Sequence, residues 1–288
     1  MEDTKSNNYI LYQAYGKEDI INEAIFSILT ILSHSRGKDC NFNIIVYTDK
    51  PDLFRAHLNG LSIISYRQIN DEELKLWRGE IDFVHRVKIK IIQDFFANHT
   101  GNLLYCDSDT YFTSGPSVFF PLIKEGKLLM HINEGRIDSK KNSIFRKIYS
   151  FLKNNVFTLP NGKTLKIPLG TEMWNAGVLG LNASHAPILE DVLQLTDIMY
   201  ARYNKHIMEQ LAFSYFFQTN QAITATDNII YHYWDFKEFR AMINEFLAAN
   251  KDKNIEEKAA LILNMHPKKF QPEQKKKVGF LGRLFGVR

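Results

Sequence analysis

Cysteine is scarce in this sequence of 288 residues, and no long uninterrupted hydrophobic stretch is present. Its only cysteines are Cys40 and Cys106, and neither belongs to a Cys-x-x-Cys pair. Because the chain lacks both a thiolate zinc motif and a disulfide framework, we expect a reducing, cytoplasmic environment. The polar, acid-containing beginning MEDTKSNNYI is unlike a secretory signal. Without about 18 consecutive apolar residues, we also expect no transmembrane helix.

The main part of the chain lacks an excess of positive charge. The formal net charge is +4, and residues 267–288 contain seven Lys or Arg against one Glu, a local charge of +6 that leaves −2 for residues 1–266. A nucleic-acid-binding protein typically has a basic binding face within its folded domain. We therefore expect no nucleic-acid partner.

Apolar runs alternate with helical patterns along the chain. Strands are predicted at 9–15, 43–49, 61–69, 102–106, 127–132, 176–181 and 227–234. Helices are predicted at 17–35, 82–99, 143–152, 186–204, 206–218 and within 236–263. This alternation predicts an α/β fold, with a mostly parallel central sheet and helices on its faces. No linker is evident, so we expect one domain over residues 1–266, followed by a basic tail at 267–288.

Two finer predictions concern single helices and turns. In the helix at 82–99, the apolar period turns Val84, Val87, Ile91, Ile92 and Phe95 inward. Residues 136–170 are polar and irregular, and the Asn-Gly pair at 161–162 predicts a hairpin there.

Two aspartates follow the strand-like run NLLYC at its carboxyl end, in the order Asp107, Ser108, Asp109. In open α/β sheets, ligands bind beyond the carboxyl ends of the strands. A buried carboxylate is costly unless it is paired or binds a cation, and carboxylate oxygens suit Mg²⁺ or Mn²⁺. The pattern is also explained by a solvated acidic turn, so a metal site is one of two interpretations.

A second polar segment, EMWNAGVLGL at 172–181, places Asn175 and Gly177 where a loop becomes a strand. The Asn175 amide can donate to and accept from sugar hydroxyls. Glycine lets the backbone approach a ligand closely. Taken alone, the segment is equally explained as the ordinary beginning of a strand.

Together these segments resemble the GT-A fold glycosyltransferases, and family 8 most of all. The resemblance covers roughly residues 9–237, through YILYQAYG, IVYTD, HRVKI, the Asp-x-Asp motif, WNAGVLGL and IIYHYW. It implies a Rossmann-like GT-A domain that transfers a sugar from a nucleotide-diphosphate sugar, expected to be a UDP-sugar. The implied acceptor is a glycan or a lipid-linked sugar, as in polysaccharide biosynthesis.

The resemblance also implies a Mn²⁺ or Mg²⁺ ion held by both aspartates and a late histidine. Asp107 and Asp109 match the aspartates, and His232 matches the histidine, with His266 as a second candidate. Such a cation neutralises the diphosphate and stabilises the leaving nucleotide. A lone histidine is otherwise an ordinary surface or core residue.

Two further family motifs have counterparts near the reacting sugar. The Arg-x-Lys-apolar pattern that reaches the donor corresponds to RVKI at 86–89, with Arg86 as the first candidate and Lys90, one turn later on the same face, in reserve. The family's Asp-Gln pair corresponds to Glu209 and Gln210, with Glu in place of Asp. Glu209 is a candidate general base if the enzyme inverts configuration. A second carboxylate nucleophile for retention has no evident counterpart.

The remaining donor-binding candidates lie at strand ends and next to the motifs. Tyr15 is expected to stack on the base, and Asp49 to accept from its ring N–H. The segment HYWDFKEF replaces the family's His…Lys-Pro-Trp ending, which leaves Lys237 as the diphosphate contact. The substrate-binding set is Ala14, Tyr15, Asp49, Arg86, Lys90, Ser108, Asn175, Ala176 and Lys237. Turn, cap and surface roles explain these residues as well.

The tail combines lysines with apolar side chains in KKFQPEQKKKVGFLGRLFGVR. Anionic headgroups attract such a segment by about 1 kcal/mol per basic residue, and apolar insertion adds to this. We expect peripheral binding to the inner membrane face, and the alternative is a solubilising end.

Two other functions are alternatives to sugar transfer, and the first belongs to an enzyme class with a similar sheet. A nucleotidyltransferase that makes the sugar nucleotide usually has a Gly-rich, basic loop after its first strand, whereas QAYGKEDII has a single glycine. A non-catalytic binder of sugar nucleotides or carbohydrate is the other alternative, and it would not need the aspartates and histidine of the metal site.

Overall fold

The structure, a computed structural model, describes residues 7–35 and 40–271. Its strands are β1 (Asn8–Gln13), β2 (Asn43–Thr48), β3 (Ile64–Gln68), β4 (Asn102–Cys106), β5 (Thr110–Phe112), β6 (Leu129–Met130), β7 (Asn133–Arg136), β8 (Phe157–Thr158), β9 (Thr164–Leu165), β10 (Glu172–Trp174), β11 (Val178–Asn182), β12 (Thr224–Ala225) and β13 (Ile230–His232). Its α-helices are α1 (Glu18–His34), α2 (Pro51–Leu58), α3 (Asp71–Arg78), α4 (Arg86–Asn98), α5 (Phe119–Lys124), α6 (Ser143–Lys153), α7 (Ile188–Arg202), α8 (Met208–Asn220), α9 (Phe239–Ala249) and α10 (Ile255–Leu261).

A seven-stranded sheet forms the centre, in the order β12-β6-β11-β4-β1-β2-β3. Strand β1 pairs in parallel with β2 and β4, β2 pairs in parallel with β3, and β6 does so with β12. Only β11 runs antiparallel to its neighbours, β4 and β6. The predicted α/β fold with a mostly parallel sheet is confirmed, and the carboxyl ends of β1, β2 and β4 share one edge.

The sheet separates two hydrophobic layers. Successive strand residues point to opposite faces, so Leu11 and Leu103 pack with α4, α7 and α8, whereas Ile10 and Leu104 pack with α1 and α9. All four side chains are fully buried. Burial on both faces explains why these strands are continuous apolar runs rather than alternating ones.

The structure corrects several sequence-based expectations. Val84, predicted to face inward, is 48% exposed, because α4 begins only at Arg86 and Val84 precedes it. The strand predicted at 227–234 is short, and it pairs with β5 outside the central sheet. Helices α2, α3 and α5 were not predicted. The Asn-Gly hairpin is present as β8 and β9, joined through Gly162 at φ +84°.

None of the helices in the described ranges is long and apolar enough to span a membrane. Of the predicted tail, only residues 267–271 are described, and they include a single 3₁₀ turn at Pro267–Lys269. The expectation for residues 272–288 lies outside the described part of the chain.

Candidate functional site

The Asp-x-Asp turn lies directly after β4, at the carboxyl edge of the sheet. Strand β5 follows this turn and pairs antiparallel with β13, which places Thr110 opposite His232. The Tyr233 N–H donates to the Asp109 carbonyl at 3.0 Å. This non-local pairing brings the late histidine beside the second aspartate.

Asp107, Asp109 and His232 form one cluster, with a ligand atom from each lying within 4.8 Å of the others. His232 Nε2 is 2.9 Å from Asp109 Oδ1 and 4.0 Å from Asp107 Oδ2. Two carboxylates and one imidazole nitrogen are a donor set that divalent cations accept. The residues present therefore fit a divalent metal ion.

The hydrogen bonds around His232 determine which of its nitrogens can bind a cation. The Gly177 N–H donates to Asn175 Oδ1 at 3.0 Å, which identifies that atom as an acceptor. The same oxygen lies 2.9 Å from His232 Nδ1, so Nδ1 carries a proton and donates. In the neutral ring, Nε2 is then free of hydrogen and faces the aspartates. Metal-binding histidines are commonly oriented in this way through their second nitrogen.

Gly177 is required by the packing of this histidine. A Cβ atom at position 177 would lie 2.2 Å from His232 Nδ1, far inside van der Waals contact. Sequence reasoning expected the glycine to admit a ligand, whereas the structure shows that it admits the histidine ring. Asn175 holds that ring, and its predicted contact with sugar hydroxyls stays a prediction.

Within the cluster, the charged forms of His232 and Asp109 stabilise each other. Burial lowers the pKa of His232, but the Asp109 carboxylate and its hydrogen bond outweigh burial, and the net shift is upward. Burial raises the pKa of Asp109, but His232 outweighs it, and the net shift is downward. A positive charge beside Asp109, from a protonated imidazole or a metal ion, stabilises its carboxylate.

Lys88 is the basic side chain that the structure brings to this cluster. Its Nζ lies 3.2 Å from Asp107 Oδ2 and 3.3 Å from Glu209 Oε1, and it donates to the Ala176 carbonyl at 2.9 Å. Lys88 is only 3% exposed. A buried ammonium requires such partners, so Lys88 joins Asp107 of the cluster to Glu209.

The two basic residues named from the sequence point elsewhere. Arg86 Nε pairs with Asp197 at 2.8 Å, and its Nη1 donates to the Trp77 carbonyl at 2.7 Å. Lys90 Nζ donates to Gln93 at 2.8 Å. The signal that distinguishes Lys88 is its spacing, because it lies four residues before Ile92, on a face that is otherwise apolar.

Glu209 is buried in the first turn of α8. Burial raises its pKa to about 7, opposed by Lys88 and reinforced by Asp107. The neighbouring Gln210 donates to Glu134 at 2.9 Å, and Glu134 also accepts from the Asn175 amide at 3.3 Å. Sequence reasoning missed Glu134, because the short strand β7 that carries it gave no apolar signal.

The candidates at the ends of β1 and β2 lie beside one another. Burial raises the pKa of Tyr15 to about 12; Arg78 opposes the rise, and Asp107 and Asp49 add to it. Asp49 accepts the Gly16 N–H at 3.2 Å, and Gly16 has φ +79°. Ala14 is buried, and its N–H donates to the Tyr47 carbonyl.

The other named residues have less specific positions. Ser108 is half-buried between the two aspartates, and Lys237 is exposed. Ala176 is buried and presents its carbonyl to Lys88. His266, the second histidine candidate, accepts the Lys268 N–H and packs against Tyr111, outside the Asp-Asp-His cluster.

Solved structures of three glycosyltransferases are similar to this one. Mouse xyloside xylosyltransferase 1 matches with TM-score 0.52 and 12% identity, over 76% of this chain and 84% of that one. Glycosyltransferase GlyE of Streptococcus pneumoniae TIGR4 matches with TM-score 0.51 and 14% identity, over 91% of this chain and 64% of that one. The WbbM bifunctional glycosyltransferase matches with TM-score 0.50 and 12% identity, over 94% of this chain and 52% of that one.

No protein-family profile matches the chain, and no curated sequence does. At these identities the structural similarity concerns the fold alone. The chain has the GT-A fold expected from the sequence, and membership of family 8 stays a prediction.

Proposed function

We propose that this protein is a metal-dependent glycosyltransferase that moves a sugar from a nucleotide-diphosphate sugar, most simply a UDP-sugar, to a glycan or lipid-linked acceptor. The observation that carries the proposal is the convergence of Asp107, Asp109 and His232 at the carboxyl edge of the sheet. In open α/β folds this edge is where ligands bind. The GT-A fold gives the cluster a context in which a metal-bound diphosphate is the natural ligand.

Each residue of the cluster has a defined part in this proposal. Asp107, Asp109 and His232 Nε2 would hold a Mn²⁺ or Mg²⁺ ion, which neutralises the diphosphate and stabilises the leaving nucleotide. Asn175 keeps the proton on His232 Nδ1. Lys88 holds Asp107 in place through its ion pair and replaces Lys90 as the basic residue next to the donor.

The nucleoside would lie over the ends of β1 and β2. Tyr15 presents an aromatic ring there for the base, and Asp49 lies in the adjacent turn, where it holds the Gly16 N–H. Ala14 and Ser108 contribute backbone and side-chain atoms along the same edge. Arg86 and Lys237 remain candidates for outer contacts with the donor.

Glu209 and Gln210 would act on the sugar and its acceptor. A buried carboxyl with a pKa of about 7 exchanges its proton at neutral pH, which suits a general base that accepts the proton of an acceptor hydroxyl. Gln210 is fixed by Glu134 and can bond a sugar hydroxyl with its remaining amide atoms.

The test is nucleotide release from a panel of UDP-sugars, with Mn²⁺ or with EDTA. We expect at least one donor to release UDP only with the metal, and Asp109→Asn to lower the rate by about a hundredfold or more, since a metal ligand is removed. Asp52→Asn is the matched control, because Asp52 is exposed and pairs only with Arg55. Release that is equal in EDTA, or unchanged in Asp109→Asn, contradicts the proposal.

We also propose that residues 267–288 bind the protein to an anionic membrane surface, where lipid-linked acceptors reside. The support is the density of lysine and arginine among apolar residues in this segment. Flotation with phosphatidylglycerol vesicles tests it. Binding that is unchanged after removal of residues 268–288 would refute it.

A further inference from the structure

The segment 136–166 carries a strong positive charge that the metal site does not use. It contains eight basic residues and a single acidic one, Asp138. The basic residues are Arg136, Lys140, Lys141, Arg146, Lys147, Lys153, Lys163 and Lys166. Within the described ranges, only two of the eight form ion pairs, Arg136 with Asp138 and Lys163 with Asp191. Most of this charge is therefore available to a partner.

Part of this charge lines a groove of about 640 Å³ between α6 and the segment that joins α7 to α8. The lining residues are Ser143, Arg146, Lys147, Ser150, Phe151 and Tyr203. On α6 the apolar side chains Phe145, Ile148 and Leu152 are buried. The helix thus anchors through one face and presents its basic and hydroxyl side chains along the other.

Aromatic rings and cations lie together in this groove. Phe151 and Tyr203 are stacked, with ring centroids 5.1 Å apart and an interplanar angle of 26°. Arg146 and Lys147 are exposed and have no carboxylate partner among the described residues. Aromatic faces accept the apolar side of a sugar ring, hydroxyls bond its hydroxyls, and guanidinium binds carboxylate or phosphate groups in a planar, paired geometry.

Both walls of the groove are connected along the chain to segments of the candidate site. Helix α6 follows β7, whose Glu134 contacts Asn175 and Gln210. Tyr203 lies six residues before Glu209, in the segment that leads into α8. A long acceptor chain in the groove would therefore extend along the segments that position the Glu-Gln pair.

We propose that this groove binds an anionic glycan, a chain whose sugars carry carboxylate or phosphate groups, as the acceptor of the proposed transfer. The term acceptor rests on the proposed function, whereas the binding does not. The stacked pair of Phe151 and Tyr203 favours a sugar chain over a lipid surface. The unneutralised cations select an anionic chain over a neutral one.

The experiment is calorimetric titration of the full chain with two anionic probes, a galacturonic acid hexamer and pentamannose phosphate, and with neutral maltohexaose. We expect an anionic probe to bind more tightly than maltohexaose. Arg146→Gln/Lys147→Gln should weaken that binding by about tenfold, since two exposed charge contacts are removed. Tyr203→Leu should weaken it while leaving the net charge unchanged. The control is Lys251→Gln/Lys253→Gln, which removes two exposed lysines beyond α9.

Donor turnover in the same variants separates this inference from the proposed function. None of the substituted residues belongs to the metal cluster, so UDP release without acceptor should equal that of the wild type. If the wild type releases no UDP, but glycan binding is weakened only in the groove variants, then the groove binds the glycan and the proposed glycosyltransferase function is wrong.

Four results would overturn the inference. They are no binding of either anionic probe, equal binding of maltohexaose, an equal loss in the Lys251→Gln/Lys253→Gln control, and a groove variant that loses binding to phosphatidylglycerol vesicles but not to the glycans. The last result would assign the surface to a membrane. Circular dichroism of each variant confirms that the fold is retained.

Discussion

At the scale of single residues, the candidate site depends on side chains that hold one another. His232 is oriented by Asn175, the Asn175 oxygen is fixed by the Gly177 N–H, and the ring fits only because position 177 lacks a Cβ. The Asp-x-Asp motif could be read from the sequence because two carboxylates follow an apolar strand. The supporting contacts could not, since they join residues far apart in the chain.

Gly177→Ala tests how His232 is held. The added methyl would lie 2.2 Å from Nδ1, so the ring must leave the position in which Nε2 lies 2.9 Å from Asp109 Oδ1. We expect Mn²⁺ affinity to fall by about tenfold or more, the usual effect of disturbing a residue that orients a ligand. The measurement is Mn²⁺ titration followed by electron paramagnetic resonance. Gly115→Ala is the control, since no atom lies within 4 Å of its added Cβ. Equal affinities in the two variants would refute this role for Gly177.

Lys88→Met and Lys90→Met form a matched pair on one helix. Loss of Lys88 leaves Asp107 and Glu209 without their shared cation, and breaking a buried ion pair costs about 3 kcal/mol of unfolding free energy. Lys90→Met should change the free energy of unfolding by no more than about 0.5 kcal/mol, as expected for a surface substitution. Urea unfolding in EDTA measures the free energy of unfolding of both variants.

Loss of Lys88 leaves the buried Glu209 carboxylate without its ion-pair partner. Adding Glu209→Gln to Lys88→Met should therefore restore part of the lost stability, because a neutral amide replaces the unpaired carboxylate. Similar losses of unfolding free energy in Lys88→Met and Lys90→Met would contradict the assignment of Lys88 to the cluster.

At the scale of elements, apolar periodicity predicted the central strands and the helices that pack on them. Strands β1, β2 and β4 and helices α1, α7 and α8 lie close to their predicted positions because burial imposes a regular apolar spacing on them. Helix α3 was missed although its capping box, Asn70 with Glu73, was legible in the sequence. Lys90 was named because it shares a face of α4 with Arg86, whereas Lys88 lies on the buried face of that helix. The pairing of β5 with β13 depends on long-range hydrogen bonds that no local pattern reports.

The contact between α1 and α9 predicts a pH dependence of stability. Glu23 of α1 is buried and pairs with Arg240 of α9 at 3.0 Å. Burial raises the Glu23 pKa from 4.5 to about 7, with Asp109 adding to the rise and Arg240 opposing it. The folded protein thus keeps this proton up to about pH 7, whereas the unfolded chain releases it near pH 4.5. Raising the pH through this window therefore favours unfolding.

Glu23→Gln removes this titration. Between about pH 5 and about pH 8, the wild type should lose about 2–3 kcal/mol of unfolding free energy relative to Glu23→Gln. Urea unfolding of both proteins in EDTA, at a series of pH values, measures the difference. A constant difference across the range would show that Glu23 titrates normally.

At the scale of the whole molecule, we propose a donor site and an acceptor site on one domain. The carboxyl edge of β1, β2 and β4 gathers the proposed metal and nucleotide residues, and α6 with the segment before α8 forms a basic groove. The GT-A fold and the grouping of Asp107, Asp109 and His232 could be predicted from the sequence, whereas the groove could not. Its residues are polar and irregularly spaced, and only the packing of α6 against the segment before α8 brings them together.

The central claim is that Asp107, Asp109 and His232 bind a divalent cation that also contacts a nucleotide diphosphate. Pulsed electron paramagnetic resonance of the protein with Mn²⁺ and UDP tests this binding directly. A nucleus that binds the Mn²⁺ ion, or that is bonded to a ligand atom of the ion, modulates the signal. We expect the wild type to show a ¹⁴N coupling from a bound imidazole and a ³¹P coupling from UDP. The ¹⁴N coupling should be absent in His232→Asn. A wild-type spectrum that lacks one or both couplings, or a ¹⁴N coupling that is still present in His232→Asn, would contradict the proposed cation site.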